Sequence, residues 1–306
     1  MRNFIIRRLI LAVLTLTVII TLVFALTRFI PGDPVYSFVG RRADRDTLNQ
    51  VRSAYGLDNP VSTQFFCYVG QLLKGNLGYS YVTGQPVGKL IIDRFPNTLK
   101  LALTAMIFAT VTGLLLGLLS ASYPGGAVDR FCVLLSISGI SVPVFWFGLI
   151  LIIIFSNMLG WLPSSGMGNF TYIVLPALTL GTRSAAYIAR ITRTSVMEVL
   201  GENFVITARA KGLSKNRILF KHILKNALIP VVTLIGVDLG SYLNGSVLTE
   251  TIFGWNGVGN LALTGIMNRD YPLIMGTVLV GSFIFICANI IVDISYSFFN
   301  PKITYE

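Results

Sequence analysis

From Leu9 to Ile30 the chain runs through aliphatic and aromatic residues interrupted only by threonines, alanines and Arg28. A stretch of that length leaves one stable solution in lipid. Crossing a hydrocarbon core about 30 Å thick takes about 20 apolar residues in a helix, because only a helix satisfies each backbone N–H and C=O where there is no water. Further runs follow at Thr98–Ala121, Phe131–Leu159, Tyr172–Ala189, Ala227–Val247 and Leu273–Phe298. The third is long enough to tilt, or to break near Pro143. The fourth is shorter and carries Pro176, Gly181 and Arg183. The pattern predicts an all-α integral membrane protein with six transmembrane helices.

Composition excludes the main alternatives. Charged residues make up 12% of the chain, against about 25% in soluble domains. A net charge of +11 would suggest nucleic acid in a soluble protein, but in a membrane protein it reports loops kept in the cytoplasm, and no nucleic-acid partner is expected. The first run is too long for the roughly 7–15-residue core of a signal peptide and ends in "TRFIPGDP" without a small-x-small cleavage site, so it reads as a retained helix. The three cysteines, Cys67, Cys132 and Cys287, form no CxxC. They suggest neither a disulfide framework nor a zinc site.

Loop charge gives the orientation. The segment 190–226 carries eight Lys/Arg against two Glu, whereas Glu250–Pro272 carries one Arg against one Glu and one Asp. The positive-inside bias places the amino terminus and the 190–226 loop in the cytoplasm, and an even helix count returns the carboxyl terminus there. Residues 31–97 are then extracytoplasmic. Three amphipathic stretches lie in them: Leu48, Val51 and Tyr55; Phe65, Val69 and Leu72, ended by Gly75; and Val87, Leu90, Ile91 and Phe95, ended by Pro96. Asn97 or Thr98 is placed to cap the second membrane helix. The expected division is an N-terminal helix (1–30), a small helical insertion (31–97) and a core of five membrane helices (98–306) containing the cytoplasmic loop 190–226.

Enzyme chemistry finds no foothold. The one histidine, His222, lies in the cytoplasmic loop, out of reach of an intramembrane Ser/His pair. Neither HExxH nor GxxxxGK[ST] occurs. No catalytic, cofactor-binding or metal-ligating residue is expected.

Polar residues inside the apolar runs are costly and mark either packing or a path. Asp238 lies midway along the fifth run, followed by Ser241, Asn244 and Ser246, with Gly240 and Gly245 small enough for close packing. Asp238, Ser241 and Asn244 are candidates for a substrate path, or for helix–helix contacts. Asp293 and Asn289 suit structural pairing with Arg183, Arg190 or Arg193. The Gly-rich "FGWNGVGN" reads as a turn at the outer interface. With Trp255, Asn256 and Asp270 it offers an outer gate or a docking surface.

The densest cluster of positive charge, "TARAKGLSKNRILFKHILKNALIP" (Thr207–Pro230), reads as helix, glycine break, helix. Gly212 stands where a left-handed residue ends a helix, and Pro230 opens the next membrane helix. A basic helix there could rest on anionic lipid. Ala208 and Ala210 give a small-residue face better suited to a protein groove.

This stretch resembles the cytoplasmic coupling (EAA) loop of ABC importer permeases, nearest to the dipeptide/oligopeptide/nickel branch. "PGDP" (31–34), "YGLDNP" (55–60), "GNLGYS" (75–80), "SGISVPVFW" (138–146), "LGWLPSSG" (159–166), "ETIFGWNGVGNL" (250–261), "NRDYP" (268–272) and "NIIVDISYSFFNP" (289–301) are similar to the same branch, so the resemblance spans nearly the whole chain. The acidic residue that names the loop is missing, with Ile206-Thr207-Ala208 in its region. The resemblance implies a type I importer permease fold and alternating access. It also implies a second homologous permease chain, two ATP-binding subunits carrying ATP and Mg²⁺, and an extracytoplasmic substrate-binding protein. Asn203, Phe204, Thr207, Ala208, Arg209, Ala210, Lys211, Gly212 and Leu213 would sit in a cleft on the ATPase. Cargo would be a di- or oligopeptide, or alternatively nickel, a metal chelate or glutathione. A stand-alone secondary carrier or channel is the alternative of another class, but hydropathy shows no inverted repeat.

Overall fold

The computed structural model describes residues 2–29, 58–214, 217–243 and 245–299; Leu48, Val51, Tyr55 and Asn244 lie outside these. The described chain is helical apart from turns and one isolated bridge, Tyr79 to Pro86. α1 covers Arg2–Phe29 and α2 Val61–Leu73. The inner face of α2 meets α1 through Phe24, which packs against Phe65 and Tyr68. Gly75, at φ +75°, follows the end of α2 as expected.

α3 runs unbroken from Val87 to Ser122. At 1.5 Å per residue its 36 residues reach about 54 Å, well beyond a hydrocarbon core. The third amphipathic stretch and the second membrane run are therefore one helix, and Pro96 lies inside it. Proline removes a single donor, and helices of membrane proteins tolerate this where neighbouring groups take over. Asn97 and Thr98 consequently do not cap α3; they bond sideways to residues far along the chain.

α4 (Ala127–Ser141) and α5 (Val144–Leu151) meet at 106°, the break anticipated at Pro143. A residue before proline is pushed out of the helical region, and Val142 is extended (φ −78°, ψ 128°). α5 continues into a π-helical turn, Ile152–Met158. α6 spans Thr171–Leu200, reaching past Ala189 into what charge alone assigned to a loop. α7 is Asn203–Ala210. A π-helical turn, Ile218–Ile223, and the short α8 (Leu224–Ala227) lead to α9 (Ile229–Leu243), followed by α10 (Val247–Ile252), α11 (Val258–Met267) and α12 (Tyr271–Phe299).

Among the described elements the most extensive contact joins α3 to α6. Gly113 and Gly117, four residues apart, share one face of α3. A Cβ at Gly113 would lie 2.7 Å from the Ala185 carbonyl oxygen, and one at Gly117 2.6 Å from that of Ala189. The backbones touch there because nothing larger than hydrogen stands between them. α9 packs similarly on α12, where a Cβ at Gly240 would come within 2.9 Å of Ala288 Cβ.

Four described stretches are long and apolar enough to cross a membrane: α1, α3, α8 with α9, and α12; the bent α4–α5 pair is a fifth. α6 is too polar to qualify by composition, carrying Arg183, Arg190, Arg193 and Glu198, yet half of its residues are buried in the bundle. Its arginines lie off the buried side: Arg183 and Arg190 are exposed on this chain and Arg193 is partly buried.

Leucine at Gly117 overpacks the α3–α6 contact. Gly117→Leu is expected to destabilise the chain by about 1–3 kcal/mol, read as a lower melting temperature in detergent. Gly70→Ala, with nothing within 4 Å of the added atom, is expected not to lower it.

Candidate functional site: a surface helix and a polar cavity

α7 stands at one end of the bundle, held by its inner side. Val205 (0% exposed) and Ala208 join a buried cluster with Ala121 of α3, Val196 of α6, and Ile218, Ile223 and Ala227. The outer side shows Asn203, Phe204, Ile206 (58% exposed), Thr207, Arg209, Ala210 and Lys211 to solvent. The small-residue docking face is thereby revised. Ala208 packs into its own chain, so only Ala210 of that pair is available to a partner.

The helix ends as its glycine predicts. Gly212 adopts φ +72°. Its N–H donates to the Arg209 carbonyl (2.9 Å) and the Leu213 N–H to that of Ala208 (3.3 Å), a Schellman pair with Leu213 folded onto the same buried cluster. Gly212 therefore fixes the angle at which the chain leaves α7.

Beside α7 lies an ion pair. The Asp129 carboxylate, in the first turn of α4, accepts from Arg193 Nε (2.7 Å) and Nη2 (2.8 Å), from the Gly125 N–H (2.9 Å) and, at short range, from the Ser120 hydroxyl. One buried carboxylate thus ties α3, the turn after it, α4 and α6 together through a bidentate fork. Arg193 was expected to serve Asp293 or Asn289 of α12. Instead it is taken by Asp129, whose position one turn from the Gly-rich "YPGG" marks a helix start but whose partner 64 residues away leaves no sequence trace.

α5, α6, α9 and α10 line an open cavity of about 620 Å³. Arg183, Ser184 and Tyr187 of α6 face Asp238, Ser241 and Tyr242 of α9 across it. Tyr242 Oη donates to the Leu180 carbonyl (2.9 Å) and lies 2.5 Å from Ser184 Oγ. Arg183 lies over the Tyr187 ring at 5.8 Å. Asp238 Oδ2 is buried without a hydrogen-bond partner. Asp238 and Ser241 are thus brought together, with Arg183, Ser184 and Tyr242 as neighbours the apolar-run reading had not joined to them.

At the opposite end, "ETIFGWNGVGN" folds into a polar knot. Glu250, fully buried, accepts from Thr98 Oγ1 (2.9 Å) and the Asn260 N–H (2.9 Å), while Thr98 accepts from the Val258 N–H (2.8 Å). The carboxylate thus meets the N-terminus of α11, where free N–H groups favour it. Trp255 is buried and donates from Nε1 to the Asn97 carbonyl (2.9 Å); Asn97 Nδ2 donates to the carbonyl of Asn256, whose own residue is exposed. Asp270 is fully buried, accepting from Ser80 Oγ (2.5 Å), the Tyr81 N–H (3.1 Å) and the Leu273 N–H (3.3 Å). Trp255 and Asp270 act here through what they position; Asn256 is the one of the three that reaches the surface.

The described chain thus combines a surface helix braced on a glycine-packed bundle with a polar cavity between long apolar helices. The sequence profile of the binding-protein-dependent transport system inner membrane component matches residues 113–305, and that of the N-terminal part of such components matches 1–102. The chain belongs to this family of inner-membrane transport components.

It is 41% identical, over the full length of both chains, to the glutathione transport system permease protein GsiC of Escherichia coli O6:H1 (strain CFT073). It is 42% identical, again over both full lengths, to the di/tripeptide transport system permease protein DppB of Pseudomonas aeruginosa (strain UCBPP-PA14). Among solved structures, the inward-facing MetNI methionine ABC transporter matches 69% of this chain and 96% of its own with a TM-score of 0.58 at 18% identity. An amino acid ABC transporter with histidines matches 71% and 95% with a TM-score of 0.53 at 18% identity. These two share the fold. The protein is a multi-pass inner-membrane permease of the ABC importer class.

Asp129→Ala is expected to cost about 1–3 kcal/mol, the range for hydrogen bonds to a charged group whose partner is left unpaired. Thermal unfolding of the solubilised chain checks this; Arg193→Ala in the same background should add little, because the pair is already broken.

Proposed function

We propose that the chain is one permease subunit of an ATP-driven importer for short peptides, glutathione included. The whole-length identity to a glutathione permease and a di/tripeptide permease carries this reading. Both cargoes are small zwitterions joined by amide bonds. In the arrangement proposed, six helices cross the membrane, α6 among them, with both termini and α7 in the cytoplasm. Charge bias supports the orientation, since the basic segment 190–226 brackets α7.

The partners are a second homologous permease chain, two ATP-binding subunits and an extracytoplasmic substrate-binding protein, with lipid around the bundle. This chain carries no cofactor; ATP and Mg²⁺ belong to the ATP-binding subunits. The exposed side of α7 sits in a cleft on one of them, and Asn203, Phe204, Thr207, Arg209, Ala210 and Lys211 make the contact. Ala208, Gly212 and Leu213 hold the helix to its bundle. When the ATPases close, α7 moves with them, and the cavity around Asp238 and Ser241 changes the side it faces. ATP favours one of two states because it binds that state better. The turn bearing Asn256, set by Trp255 and Asp270, forms the outer gate or meets the binding protein.

Two substitutions one residue apart separate contact from folding. Ile206→Asp should leave the chain folded and inserted but remove the ATPase from co-purification. Val205→Asp buries a charge and should lower the amount of folded chain itself. A third tests transmission: Gly212→Val places a β-branched residue where an L side chain costs about 1–2 kcal/mol. Cargo moved per ATP hydrolysed is expected to fall while insertion persists. Unchanged transport by well-expressed Gly212→Val would refute the coupling role.

A further inference from the structure

We propose that Asp238 receives the primary ammonium group of the cargo, so that the permease itself, and not only a binding protein, reads a free amino terminus. The proposal rests on the peptide-import reading and names the chemistry of that same cavity.

One carboxylate oxygen in the bundle has no donor. Asp238 lies on α9 among apolar residues, and its Oδ2 is buried with no hydrogen-bond partner, an expensive state for a carboxylate in a membrane bundle. The hydroxyls beside it have one proton each. That of Tyr242 goes to the Leu180 carbonyl, and Ser184 Oγ lies 2.5 Å from Tyr242 Oη. Arg183 faces the same space but lies over the Tyr187 ring, and no ion pair within 4.0 Å joins it to Asp238 among the described residues. The wall of the cavity therefore holds a carboxylate with one unfilled acceptor, covered in this state, and, separately, one cation.

Those two poles suit a zwitterion. An ammonium brings three donors and a positive charge to Oδ2, and the guanidinium is left for the carboxylate end. About 620 Å³ falls within the roughly 300–1,000 Å³ of small-ligand sites. A divalent cation is a poorer match, since it takes six or more oxygen ligands or a set of imidazoles and thiolates. Among the described residues no group of three His, Cys, Asp or Glu side chains could hold one.

The test uses the complete importer, purified from its native membrane and placed in liposomes loaded with ATP. Uptake of a dipeptide with a free amino terminus is compared with that of its N-acetyl form, for the wild type, Asp238→Asn and Asp238→Glu. The binding protein's own preference is common to all three and cancels when their free-to-acetyl uptake ratios are compared. The expected result is a ratio lowered about tenfold or more by Asp238→Asn, the value of a charge-assisted contact, and largely kept by Asp238→Glu. A loss of uptake equal for both peptides, or a ratio that does not change, would overturn the assignment and leave peptide import standing. If the wild type took up neither peptide, peptide import would fail first and this inference with it.

Discussion

Backbone-to-backbone contact between α3 and α6 sets the rest of the molecule. Lipid supplies no hydrophobic force to press two helices together, so association depends on close packing and on polar contacts. Gly113 and Gly117 allow the approach by leaving α3 bare where the Ala185 and Ala189 carbonyls pass. Seated against α3, α6 buries half of its residues, and its three arginines fall outside that half, Arg193 partly buried and Arg183 and Arg190 exposed on this chain. All three have partners: Arg183 faces the cavity and, like Arg190, lies over the Tyr187 ring, and Arg193 closes on Asp129. The helix that holds the bundle together thus also supplies its internal polar groups, and it leads directly into α7.

Buried carboxylates then divide the long helices into bodies. At the α7 end, Asp129 binds α3, α4 and α6 at one point. At the other end Glu250 joins α10, α11 and Thr98 of α3, and Asp270 joins the start of α12 to residues 80–82. In each case the charge is surrounded by several donors, the condition under which a buried ion is tolerable. α7 itself is fastened by apolar packing of Val205, Ala208 and Leu213 and by the geometry at Gly212. α7 is thus packed on the ends of α3 and α6, and α6 also lines the cavity farther along its length.

Much of this was readable from the residues alone. Run length and period give the helical class, Pro143 gives the break, and Gly212 and Gly75 give helix ends, because each effect is local. The resemblance of motifs along the chain gives the family. Boundaries fail where tertiary packing overrides a local stop. Pro96 reads as a terminator, yet α3 continues through it while Asn97 and Thr98 bond to Asn256 and Glu250, more than 150 residues on. Polarity makes α6 look short, since hydropathy cannot register burial by other helices.

The buried side of α7 escapes the sequence for a related reason. Ala208 is small and reads as a contact for a partner, but smallness equally suits a core, and only the position of Ile218 and Ile223 decides between them. Asp129–Arg193 shows the same limit. A charged residue in an apolar run announces itself; its counterpart, on another helix, does not. The pattern "GLLLG" at 113–117 was available as a packing signal, and its spacing alone would have pointed to a close helix contact.

The central claim is that the chain works only as part of an ATP-driven assembly. Gentle purification of a tagged copy from its native membrane, with every co-purifying protein identified by mass spectrometry, tests it most directly. Recovery of two ATP-binding subunits, a second permease chain and a binding protein is the predicted result. A chain that emerges alone, under conditions that keep known importers of this kind intact, and still moves cargo in liposomes without ATP would contradict it.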